Sequence, residues 1–200
     1  MASVEILGQT DLASDTASVT FSGLDTTTYT YFEMLGSCRS ALASAGTPGS
    51  YTDYMMVRFG EADSIISANQ SYGWTGVFAT DGSTGTWEGD GDISTVASTE
   101  TSWMGAGLIL NDNSLGVGDT NNCPIRVQVF GGMSGYLSMF QCESFAGAPS
   151  GTGYASMGTF MGQRATGQTA ALTDIQLLTY SGSNFLAGSS FILTGWKEEV

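Results

Sequence analysis

Short apolar runs with a two-residue period recur along the chain, separated by clusters of Gly, Ser, Thr, Asn and Asp. Ile125, Val127 and Val129 alternate with Arg126 and Gln128, the pattern of a strand with one face buried and one wet. The segment 131–135 then joins this run to a second one at 136–142, predicting a hairpin. Near the end, runs at 175–180 and 190–196 flank Ser181-Gly182-Ser183-Asn184 and read as a second, C-terminal hairpin. Phe191 and Leu193 share one face of its last strand, with Ile192, Thr194 and Trp196 on the other. Further strands are predicted around Val19 and Phe21 and at 29–35, 54–59, 69–79 and 154–164, and 4–7 reads as a first strand or a contact arm. Aromatics on both phases of 29–35 predict a strand covered on two sides. A short helix competes at 62–68, where Ile65 and Ile66 do not alternate, and 40–45 suits a short helical turn. Segments 81–92 and 145–153 read as loop and linker.

Hydrophobic residues make up 42% of the 200 residues and charged ones only 12%, so Ser, Thr, Gly and Asn supply much of the expected surface. The 28 glycines accompany aromatics and β-branched residues, which argues for many turns in an ordered chain. The fold class that uses all of this is all-β: an antiparallel two-sheet β-sandwich of jelly-roll type, expected as a single domain over residues 1–200.

A net charge of −14 with five basic residues excludes a cationic footprint for nucleic acid and disfavours anionic membrane surfaces. No apolar run reaches membrane-spanning length, so no membrane insertion is expected. The first residues lack the basic start and apolar core of a signal peptide. Cys38, Cys123 and Cys142 follow no disulfide or zinc spacing and read as small buried hydrophobes of a reducing cytoplasm. The first hairpin is expected to bring Cys123 near Cys142. Arg58, inside a strand-like run, is expected to pair with a carboxylate such as Glu61 or Asp63.

The chain contains no histidine. That removes the serine triad, the Cys-His pair and the commonest general base, and the chain is expected not to be an enzyme. Carboxylate chemistry remains: Glu88, Asp90 and Asp92 beside Trp87 are the residues a glycosidase reading would need. Calcium, a hard cation wanting oxygen ligands on turning loops, is the one cofactor considered, with Asp90, Asp92, Asp112 and Asp119 as candidate ligands. A solvated loop accounts for the same acids. Trp87 and Trp103 are candidate glycan-stacking residues, with Trp74 and Tyr136 as further aromatics of the right kind.

Three stretches carry a resemblance. The C-terminal one comprises Asn184, Phe185, Gly188, Ser189, Phe191, Leu193, Gly195 and Lys197, with Trp196 where isoleucine is usual. The others are ASVTFSGLDTTTYTYFEML at 17–35 and YMMVRFGEAD at 54–63. Together they cover roughly a third of the chain and resemble β-sandwich proteins from virions of tailed bacteriophages, including phages of marine cyanobacteria. The resemblance implies a virion protein made in the bacterial host cytoplasm, working by shape and packing. It implies a capsid decoration or cement protein, or alternatively a tail-fibre or receptor-binding module recognising a host surface glycan. A free lectin-like sugar-binding module is the third reading. The implied partners are capsid or tail proteins and other copies of the chain, with a trimer as the first expectation. Exposed Met and aromatic residues are expected to form the contact between copies, with acids facing solvent.

Overall fold

The computed structural model describes residues 2–42, 52–61, 64–65, 71–79, 87–90, 104–110, 122–135, 138–147, 155–163 and 170–198. Among them every regular element is a strand: β1 (Ala2–Asp11), β2 (Ser18–Ser22), β3 (Tyr31–Cys38), β4 (Thr52–Glu61), β5 (Ser64–Ile65), β6 (Ser71–Ala79), β7 (Trp87–Asp90), β8 (Met104–Leu110), β9 (Cys123–Phe130), β10 (Met139–Gly147), β11 (Ala155–Gln163), β12 (Leu172–Thr179) and β13 (Ser190–Glu198). The larger sheet has the order β1-β13-β3-β9-β10-β11-β6-β7. The smaller has the order β2-β12-β4-β5, with β8 also pairing β4. Every pairing is antiparallel.

Two packed sheets follow from the alternation. On β9 the burial pattern tracks the sequence phase, with Ile125, Val127 and Val129 buried and Arg126 exposed. Phe32 and Met34 of β3, Phe140 of β10 and Phe191 and Leu193 of β13 join them from the larger sheet. Val19 and Phe21 of β2, Met55, Val57 and Phe59 of β4, and Ile175 and Leu177 of β12 meet them from the smaller one. Phe59 and Phe140 span the two layers edge to face, their ring centroids 6.1 Å apart. Each fully buried ring of this kind contributes about 2–3 kcal/mol of transfer free energy.

The C-terminal hairpin predicted from turn residues does not form. β12 lies between β2 and β4, whereas β13 lies between β1 and β3 in the other sheet. Both strands have a buried face, so each finds its neighbours where its apolar side points, and turn chemistry alone does not choose the partner. The connection between them carries Phe185, fully buried, bridged to Thr16 and Ser40, with its ring 5.3 Å from Phe191. Gly188 turns this segment at φ +85°, a conformation that favours glycine. Gly195 has a different reason to be glycine: a Cβ there would lie 2.6 Å from the Tyr29 ring.

Other expectations shift as well. β10 continues through Gly147, so 145–147 is strand where a linker is predicted, because β11 pairs with it over its whole length. Trp87–Asp90 is strand β7 on β6 rather than loop. Within 62–68, where a helix is one reading, Ser64–Ile65 forms the two-residue β5 paired with Gly60 and Glu61, and the rest lies outside the described residues. Ser40 sits in an extended bridge, and the rest of the helical turn expected after it lies largely outside the described residues. β3 is covered fully on one side only: Leu35 is 48% exposed. Cys142 faces Val127 across the hairpin, while Cys123 is opposite Cys38 on β3. All three cysteines are buried thiols, and burial pushes those of Cys38 and Cys142 well up. Arg58 is half-buried on β4 opposite Gln176.

Candidate functional site

The outward phase of the larger sheet is where the described structure departs from a plain solvated surface. Strand register places Val4 opposite Trp196, Trp196 opposite Tyr31, Tyr31 opposite Phe130 and Phe130 opposite Met139. Five adjacent strands thus contribute one row of five apolar or aromatic side chains, none of them a charged residue. Val4 is 52% exposed, Phe130 40% and Met139 53%, and Ile6 beside them is 69% exposed. Tyr31 organises the middle, its ring 5.1 Å from Phe130 and 5.8 Å from Trp196. The Trp196 indole Nε1 is buried without a hydrogen-bond acceptor among the described residues.

The next rows of the same face mix polar side chains with Ile6 and Leu35. Arg126 Nε donates to Glu33 at 2.6 Å, and Glu143 stands 3.9 Å from the same guanidinium. Gln128 donates to the Tyr31 hydroxyl at 2.6 Å. Burial is the main cause raising the Tyr31 phenol, and the bond to Glu33 raises the Arg126 guanidinium. This row has the chemistry of a contact surface: ring area to bury and a charged border to set orientation.

A second constellation sits where β1 and β2 form adjoining edges of the two sheets. Glu5 accepts hydrogen bonds from Lys197 and from the Tyr29 hydroxyl, which, Lys197 foremost, hold its carboxyl below the usual range. Asp25 caps the turn after β2, accepting from Thr27 Oγ1 at 2.5 Å, Thr28 Oγ1 at 2.6 Å, Thr27 N at 3.0 Å and Thr28 N at 3.2 Å. These bonds, first from Thr27 and then Thr28, lower its pKa to about 2. A depressed carboxylate stabilises the turn above its unfolded value near 3.8, and that contribution disappears as pH falls through about 2. Amide exchange at Thr27 and Thr28 is therefore expected to accelerate, after correction for intrinsic rates, between about pH 4 and pH 2. Correction-normalised protection that stays flat across this interval would contradict the cap.

The residues singled out from sequence are mostly elsewhere. Trp87 and Asp90 are the two ends of β7, paired with Ala79 and Gly76, and Glu88 pairs with Phe78. Trp74 lies on β6 opposite Phe160. Asp92, Trp103, Asp112, Asp119 and Tyr136 lie outside the described residues. Among the described residues no group of three carboxylates or thiols is placed to hold a metal ion. No helix among them is long and apolar enough to cross a membrane. The row itself was missed as a unit, although its signal is in the sequence: Val4, Phe130 and Trp196 are apolar residues on the outward phase of alternating strands.

No family model and no curated protein matches this chain.

Proposed function

We propose that this chain is a non-catalytic structural protein of a tailed-phage virion, assembling with copies of itself through the row from Val4 to Met139. The observation that carries self-assembly is this uncharged row on a chain of net charge −14. Copies that repel one another over most of their surface can associate where no charge needs to be desolvated. Burying the exposed parts of these rings and of Met139 contributes at about 25 cal/mol per Å², and the Glu33–Arg126–Glu143 border restricts the docking angle.

The strand order supports the jelly-roll type. Taking β5–β7 and β10–β11 as insertions, the remaining strands run β1-β13-β3-β9 in one sheet and β2-β12-β4-β8 in the other. Successive strands then pass between sheets except at β4 to β8, as two Greek keys require. The virion setting rests on the resemblance, whose residues have distinct tasks here. Phe185, Phe191 and Leu193 fill the core, Gly188 turns, Gly195 admits Tyr29 and Lys197 reaches Glu5. Capsid decoration is the placement we favour, with three copies as the first arrangement to test.

The decisive experiment is to image particles with and without the protein and identify it by mass spectrometry in purified virions. Regular density at capsomer junctions is expected. Density at the tail tip would favour a receptor-binding module, and absence from particles would overturn the proposal. The partly exposed Tyr31 and Trp196 rings also suit sugar stacking. Selective glycan-array binding that Trp196→Ala abolishes would favour that reading.

A further inference from the structure

β1 and β2 are outer strands of their sheets. Among the described residues β1 pairs only with β13, and β2 only with β12. Between them opens a cleft of about 260 Å³ lined by Leu7, Phe21, Ser22, Leu24, Asp25 and Leu193, among others. Its floor is apolar and its rim carries hydroxyls and a carboxylate. The volume is below the roughly 300–1,000 Å³ of small-molecule pockets, which suits one inserted side chain rather than a whole ligand.

A ten-residue outer strand presents backbone donors and acceptors to any extended chain that reaches it. β1 has no proline or lysine in its interior, its one charge there is Glu5, and it exposes two aliphatic residues, Val4 and Ile6. Its bulge near Leu7 lets that side chain reach the cleft while Gly8 packs on Phe21. The charge here has one sign. Glu5, Asp11, Asp15 and Asp25 are all exposed along this edge, and Lys197 is already engaged by Glu5. A second copy, at −14, is a poor occupant. An extended segment with basic residues on its outward phase is a complementary one.

We propose that this edge binds an extended, basic peptide segment of a partner protein, which adds a strand to β1 and lowers one apolar side chain into the cleft. The site shares only Val4, at the end of the aromatic row, and its cleft does not depend on what Tyr31, Phe130 and Met139 do.

The test uses the full chain, isotope-labelled, titrated with the synthetic peptide Lys-Val-Lys-Leu-Lys-Val-Lys. Saturable shifts are expected at the amides of residues 3–9 and 20–25, with affinity falling as salt rises. The peptide with Glu in place of Lys should bind at least about tenfold more weakly. Ser22→Arg, an exposed substitution that blocks the mouth and places a positive charge beside Asp25, should weaken binding about tenfold or more. Its unchanged spectrum elsewhere checks the fold. The proposal is overturned by an absence of saturable shifts, by shifts confined to Tyr31, Phe130 and Met139, or by equal binding of the acidic peptide.

Discussion

If copies associate through the row as proposed, Phe130→Glu is expected to shift them to monomers while leaving the sandwich folded. Phe130 is the fourth of the five residues in the outward row, 40% exposed, between Tyr31 and Met139. A carboxylate there would have to be buried without a partner when two copies meet, which costs about 3 kcal/mol or more. That corresponds to a rise of about 100-fold in the dissociation constant. Within one copy the new side chain points to water and loses only the ring contact with Tyr31, about 1 kcal/mol. Sedimentation equilibrium of wild type and variant, with a thermal melt alongside, separates the two effects. A wild type that is already monomeric at high concentration, or a variant with an unchanged association constant, would remove the row as a self-contact. Glu143→Ala, at the polar border, should change association by less than about tenfold.

The alternation of Ile125 to Phe130 specified a strand and its buried face correctly, because a half-buried strand writes its environment into every second residue. The same reading of 175–196 found both strands but joined them wrongly. Ser181 to Asn184 signals a reversal, and a chain that reverses can return beside its own strand or cross to the facing sheet. What decides is the whole arrangement of buried faces, including Phe185 in the connection, and no local window contains that. Cys123 illustrates the same limit. Its neighbour is Cys38, 85 positions earlier, because β3 lies between β13 and β9. The aromatic row was legible only in fragments for this reason: its five members come from five separated segments, and register alone aligns them. Of the acids and tryptophans chosen from composition, Trp87, Glu88 and Asp90 fall on β7, an outer strand where a turn-rich loop is predicted.

Asp53 is the residue whose loss should cost the fold most for its size. It lies near the start of β4, 2% exposed, and its carboxylate accepts hydrogen bonds from two serines. Ser40 Oγ donates to Oδ2 at 2.6 Å, Ser181 Oγ to the same oxygen at 2.6 Å and Ser181 N to Oδ1 at 3.2 Å. The two serines are themselves fixed, Ser40 Oγ accepting from Leu42 N at 3.0 Å and Ser181 Oγ from Ser183 N at 3.1 Å. One side chain therefore ties the segment after β3 to the segment after β12, two of the places where the chain passes between sheets around Phe185. Asp53→Ala removes the acceptor and strands the fully buried Ser40 hydroxyl. Unmet buried donors cost about 1–3 kcal/mol each, and since Ser181 is exposed enough to rehydrate, the expected total is about 3 kcal/mol. At about 2–4 °C per kcal/mol for a domain of this length, the melting temperature should fall by about 6–12 °C. Asp53→Asn keeps the shape and one acceptor oxygen, and both hydroxyls can turn to accept from its amide, so it should lose less than half as much. Ser181→Ala, which leaves Ser40 and the Ser181 backbone amide bonded, should be the mildest of the three. Differential scanning calorimetry of this series tests the order directly. An alanine variant no less stable than Ser181→Ala would mean that packing around Phe185, rather than the carboxylate, holds the two crossings together.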